Sequence, residues 1–248
     1  MYPFLEELGV TIIIDTGKQL FLAVPRAIQN WRFRRFFGRD AVTGDRIFGV
    51  LDPVTNPVPA QTNRYVKGFL GRRQDQALIG PTDVLGLCSA RVASYGAGLF
   101  ARFRPGHKPL AFVVDSEVVA TWNASLFCFG SSDSNVKTLD IESLPEQKFY
   151  SMVFNAAGHR VFKVGNRGFG IDGKHDHGIL LRMKNPRNPE HALFVCAGLG
   201  EWGTSGAAYF LFTNWLLLYR KHGPSDFCKV IRVEYGSDES AEDVFSIP

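Results

Sequence analysis

Two carboxylates and a run of glycines are the parts of this sequence best placed to do chemistry. Glu201 lies inside Gly198-Leu199-Gly200-Glu201-Trp202-Gly203-Thr204-Ser205, and Asp176 lies between His175 and His177. A carboxylate beside a bound sugar or phosphate can take or give a proton, so Glu201 and Asp176 are the candidate acid/base groups. The glycine turn offers a different chemistry. An apolar run, Ala192 to Ala197, precedes it, and a long apolar segment opens at Thr204. A buried strand, a small-residue turn and a helix start leave backbone N–H groups at the positive end of a helix dipole, which suits a phosphate or another anion. Gly198, Gly200, Trp202, Gly203, Thr204 and Ser205 are therefore candidate ligand contacts, with Trp202 able to stack on a base.

A second loop repeats the pattern. The apolar run Ser125 to Phe129 ends in Gly130-Ser131-Ser132-Asp133-Ser134-Asn135. Gly130, Ser131, Ser132, Ser134 and Asn135 supply hydroxyls, an amide and backbone N–H groups for a phosphate or a ribose. Open parallel sheets bind ligands beyond the carboxyl ends of their strands. If the two strands are parallel neighbours, both loops face one pocket, and a nucleotide-like or phosphorylated small molecule is the expected partner.

LFCFGSSDSN resembles the opening strand and loop of the LOG-type phosphoribohydrolases, and AGLGEWGTSGAAYFLFTNW resembles their glycine-rich PGG-x-GT turn and following helix. The resemblance implies a Rossmann-like nucleotide pocket. In that family catalytic glutamates follow the GT pair, where this chain has Ser205, Gly206, Ala207 and Ala208. The family's intervening glycine loop and Arg/Lys motif are missing between Asn135 and Ala192. The expected function is thus a non-catalytic binding or sensor domain. The alternatives are a nucleotide N-glycosidic or phosphoester hydrolase in the same pocket, and an interaction module with a vestigial pocket.

Other candidate groups weigh less. His175-Asp176-His177 could start a zinc site, but no spacing supplies a third ligand, so no metal is expected. There is no P-loop, GxGxxG, HExxH or Ser-His-Asp context, and no cofactor is expected. Asp115, beside Ser116 and Glu117, stands at a strand end where carboxylates commonly cap loops or helices. Arg187, in the turn Asn185 to Pro189, could reach a phosphate. The four cysteines are far apart and read as buried reduced thiols of a cytoplasmic protein.

These groups need a scaffold of buried strands and helices. The chain has 248 residues, 45% apolar, with 21 Phe and a net charge of only +4. That composition fits one sizeable core and makes nucleic acid an improbable partner. Apolar runs at 46–52, 110–120, 125–130 and 192–197 alternate with helical patterns at 82–103 and after 204. The helical pattern at 82–103 has Thr82 or Asp83 as its cap and Val84, Leu85, Leu87, Val92, Leu99 and Phe100 as its candidate buried positions. The alternation argues for a Rossmann-like three-layer α/β sandwich with a mostly parallel sheet. Short runs between 149 and 184, divided by glycines, suggest an antiparallel hairpin inserted on the sheet edge. Residues 1–38 read as an N-terminal helical arm, 39–236 as the ligand-binding domain, and 237–248 as a solvated acidic tail. Pro25 should kink or divide the arm. Its end, Trp31-Arg32-Phe33-Arg34-Arg35-Phe36-Phe37, either packs on the domain with its arginines in water or meets a protein partner or membrane surface.

Overall fold

The computed structural model describes residues 20–43, 47–51, 87–103 and 110–248. The arm before residue 20, the polar connection at 53–81 and the expected cap at Thr82 or Asp83 lie outside them. The elements are α1 (Leu20–Phe37), α2 (Asp40–Thr43), β1 (Ile47–Leu51), α3 (Leu87–Phe103), β2 (Ala111–Val114), β3 (Ser125–Phe129), α4 (Val136–Glu142), β4 (Tyr150–Phe154), β5 (Arg160–Val164), β6 (Arg167–Gly170), β7 (His175–Lys184), β8 (Ala192–Gly198), α5 (Glu201–His222), β9 (Phe227–Glu234) and β10 (Ser237–Ile247).

Apolar runs become inner strands because both of their faces are covered. All seven residues of β8 are buried. Phe194 and Cys196 face one core, Leu193, Val195 and Ala197 the other. The first core is aromatic and lies under α1, α3 and α5. Phe33, Phe37, Phe100, Phe127, Phe194 and Trp215 touch ring to ring there, with Phe127 stacked on Phe194 at 4.8 Å. Most of the phenylalanine excess resides in this layer, where each large buried ring contributes about 1.5–3 kcal/mol. On the opposite face, Ile141 of α4 and Phe162 of the small sheet β4-β5-β6 cover Leu126, Cys128 and Ile179.

The main sheet has the order β10-β9-β7-β8-β3-β1-β2. β8, β3, β1 and β2 run parallel, whereas β7, β9 and β10 join antiparallel. The chain is therefore α/β with a mixed sheet, parallel on one side only, and not the mostly parallel sheet expected. The antiparallel insertion is present as the separate sheet β4-β5-β6. The run Ile179 to Met183, expected beside it on the edge, is instead an inner strand of the main sheet. Its continuous burial removes the alternation that marks an edge hairpin.

Three other expectations change. α1 runs unbroken through Pro25 from Leu20 to Phe37. Its aromatics Phe33, Phe36 and Phe37 are fully buried, and Trp31 packs edge-on against Tyr219. Arg182, buried in β7, donates to the Phe36 carbonyl at 2.9 Å and to the Pro224 carbonyl at 2.7 Å, which anchors the helix end to the sheet. The acidic segment 237–247 is strand β10, paired with β9. Its carboxylates meet cations: Asp243 pairs with Lys229, Glu242 with Arg232, and Asp238 with Arg91. Leu87, read as a buried position of α3, is 70% exposed at the helix start. All four cysteines are buried free thiols, and no described helix is long and apolar enough to cross a membrane.

Candidate functional site

β3 and β8 pair in parallel register from Leu126 opposite Leu193 to Phe129 opposite Cys196. The loop 130–135 and the turn 198–200 therefore leave the same sheet edge side by side. The Gly130 N–H donates to the Cys196 carbonyl at 3.0 Å and joins their bases. Arg160, at the start of β5, spans both. Its guanidinium pairs with the Asp133 carboxylate and donates to the Leu199 carbonyl at 3.5 Å. No motif announced Arg160, because its role depends on where the inserted sheet folds back over the loops.

Beneath the turn, Asp176 is fully buried. One carboxylate oxygen accepts the Gly203 N–H and the other the His177 N–H, both at 2.7 Å. A carboxylate at a helix N-terminus satisfies an orphan donor and opposes the dipole charge. Asp176 thus acts as the cap of α5, which Gly200 cannot supply for itself. Burial pushes its carboxyl above the ordinary carboxylate range, against the N–H groups of Gly203, His177 and Gly200. Both oxygens of Asp176, expected as an acid/base group, are thus engaged by backbone N–H groups of a buried joint.

The glycines of the turn serve close approach. A Cβ at Gly178 would lie 2.1 Å from the Gly203 carbonyl oxygen, and one at Gly203 would lie 2.4 Å from the His177 oxygen. A Cβ at Gly198 would come within 2.2 Å of the Thr204 nitrogen. Backbone-to-backbone contact of this kind lets the first turn of α5 nest directly on β7 and β8. Thr204 closes the same joint, accepting the Gly198 N–H at 2.9 Å.

Several candidate contacts therefore turn inward. Asn135 is fully buried: it donates to the Val50 and Phe129 carbonyls at 3.2 and 3.0 Å and accepts the Thr138 N–H as the cap of α4. Ser131 is buried and its carbonyl accepts from Ser134 and Asn135. Ser205 is buried and donates to Asp238 at 2.5 Å, while Arg91 donates to its hydroxyl at 3.0 Å. Asp115 takes the capping role expected of it, accepting the Val136 N–H at 2.7 Å.

What remains open at the edge is a smaller set. Ser132 and Ser134 are half-buried and Glu201 is exposed. Trp202 is half-buried, with the Arg91 guanidinium 4.2 Å from its ring centre. Among the described residues no group accepts from the backbone N–H of Glu201 or Trp202, the two outermost donors of α5. Nearby, the His177 Nδ1 lies 2.7 Å from the Gly170 carbonyl, so this nitrogen carries the proton. Burial holds His177 below the ordinary imidazole range and hence neutral. His175 instead meets Asp172 at 3.1 Å, and no group of three metal-ligating side chains gathers among the described residues. One guanidinium, that of Arg160, and two backbone N–H groups without an acceptor among the described residues thus lie on the loops of this edge. Its exposed carboxylates are Asp133, which is paired with Arg160, and Glu201. Comparison with protein-family models, with curated proteins and with solved structures finds no match to this chain.

Proposed function

We propose that the chain is a non-catalytic binding module that takes a nucleotide-like or phosphorylated small molecule at the carboxyl edge of β3 and β8, in the manner of Rossmann-like folds. The observation that carries this reading is Arg160, one guanidinium laid over both small-residue loops. An incoming phosphate would exchange with Asp133 on Arg160 and meet the N–H groups of Glu201 and Trp202, which have no acceptor among the described residues. Ser132 and Ser134 would flank it, and Trp202 would offer its edge or open face to a base. Arginine is well suited to such a task because its planar fork binds a phosphate through two parallel hydrogen bonds. The other exposed carboxylate of this edge, Asp133, is engaged by Arg160, which supports binding over a two-carboxylate hydrolysis in the same pocket.

The test is thermal stabilisation by nucleotides, cyclic nucleotides, dinucleotides and sugar phosphates, in wild type and Arg160→Ala. A ligand at about 100 times its Kd adds about 2.7 kcal/mol. Stabilisation lost in Arg160→Ala supports the reading; equal stabilisation in both proteins overturns the site. Turnover abolished by Glu201→Gln would establish the hydrolase instead.

One observation favours the second reading, an interaction module. Asp176 already occupies the inner anion position of the α5 N-terminus. A module of this kind would give no stabilisation by any member of the panel. The arginines of α1, which contains no acidic residue, would then be the surface for an anionic protein partner or membrane. Loss of liposome or partner binding in the charge-reversed double variant Arg26→Glu, Arg34→Glu, which leaves the buried Phe33, Phe36 and Phe37 in place, is the corresponding test.

A further inference from the structure

A second concave site lies toward the opposite end of the sheet, below the start of β3 and on the α4 face. It is a cavity of about 560 Å³ walled by Val119, Trp122, Leu144 and Pro145, with Asp140 and Arg187 at its rim. That volume is in the range of small-molecule sites, which are commonly about 300–1,000 Å³. Its charges do not balance. The Lys137 ammonium lies 3.6 Å from the centre of the Trp122 ring and the Arg187 guanidinium 4.2 Å. Two cations therefore share one indole, and Asp140, 3.7 Å from Lys137, offsets only one of them.

Their partners separate the two. Lys137 is fully buried and donates to the Val119 carbonyl at 2.8 Å, so it belongs to the scaffold. Arg187 is exposed, and among the described residues no carboxylate or carbonyl accepts from its guanidinium. The backbone that carries the ring is tied to the Arg187 turn, because the Trp122 carbonyl accepts the Asn185 amide at 2.6 Å. Asn185 also accepts the Arg187 N–H at 3.0 Å and sets the turn that presents the arginine. An arginine stacked on an aromatic ring keeps its fork of donors while losing little freedom on binding. Val119, in the same lining, adds exposed apolar surface.

We propose that this cavity is a second ligand site, for a compact organic anion whose carboxylate or phosphate pairs with Arg187 and whose apolar body lies along Trp122, Val119 and Leu144. The site is independent of the β3–β8 edge and stands or falls without it.

Benzoate and phenyl phosphate, with benzyl alcohol as the uncharged control, are titrated while the indole N–H resonance of Trp122 is followed, assigned with Trp122→Phe. The expected result is a saturable shift with at least one anion, weakened about tenfold or more in Arg187→Ala, only partly restored in Arg187→Lys, which keeps the charge and loses the fork, and unchanged in Arg160→Ala. Which anion binds more tightly identifies the headgroup. The proposal is overturned by no saturable shift up to about 10 mM of either anion. It is equally overturned by an Arg187→Ala titration that matches wild type, or by benzyl alcohol binding as tightly as the anions.

Discussion

Replacing Asp176 separates a buried cap from an exposed catalytic acid. In Asp176→Ala the N–H groups of Gly203 and His177, each now 2.7 Å from a carboxylate oxygen, are left buried without an acceptor. An unsatisfied buried donor costs about 1–3 kcal/mol, so the two together cost about 2–6 kcal/mol. Removing a buried charge returns part of this, and a net loss of about 2–3 kcal/mol is expected. For a chain of this size that is a fall in Tm of about 5–10 °C. Asp176→Asn keeps the shape and one acceptor and drops the charge, so its loss should stay near about 1 kcal/mol. Urea denaturation followed by tryptophan fluorescence measures both. The pH dependence has a defined sign. The native carboxyl is raised above its ordinary value of 3.8. Its contribution is thus fully present below that value and declines as pH rises through the raised one. Asn cannot titrate, so the stability of wild type relative to Asp176→Asn should fall from about pH 4 toward neutrality. Losses within about 0.5 kcal/mol for Asp176→Ala would refute the capping role, and a wild-type advantage that grows with pH would show that the capping N–H groups, and not burial, govern the carboxyl.

Other outcomes follow from the same structure. Gly178→Ala should destabilise by about 3 kcal/mol or more in thermal melts, since its Cβ would meet the Gly203 carbonyl at 2.1 Å, whereas Gly98→Ala, with open space around it in α3, should stabilise by about 0.5–1 kcal/mol. Asp238→Ala leaves Arg91, the Tyr95 hydroxyl and Ser205 without their common acceptor, and should cost about 2–4 kcal/mol in denaturant titrations. His222, which burial pulls down to about 4 from 6.5, stays neutral in the fold, so wild-type stability should fall as pH drops from 6.5 toward 4. His222→Gln should remove that component of the pH profile.

The sequence was most informative where burial is continuous. β3 and β8 stand out as apolar runs because both faces are covered, and the loops after them are recognisable by their small residues. Whether those loops meet is a matter of strand order, which composition does not encode; the parallel pairing of Leu126 with Leu193 supplies it. The segment 237–247 shows the opposite case. Its charge run has the composition of a solvated tail, yet Lys229, Arg232 and Arg91, distant in sequence or on another strand, neutralise it within the sheet. Glycine spacing was ambiguous for a physical reason: a turn that cradles a ligand and a helix start that nests on a strand both need the absence of a Cβ. Gly198 and Gly203 do the second. Asp176 and Arg160 exchange importance for a similar reason, since burial of the one and the reach of the other arise only from tertiary contacts.

The most direct measurement is an amide chemical-shift titration of the full chain with adenosine 5′-monophosphate, beside inorganic phosphate and adenosine. The account expects saturable shifts at residues 131–134, at Glu201 and Trp202, and at the Arg160 side chain, strongest with the nucleotide, while the Gly203 amide stays held by Asp176. Shifts confined to other surfaces, or none with any of the three, would contradict a ligand site at this edge and leave its two loops as turns.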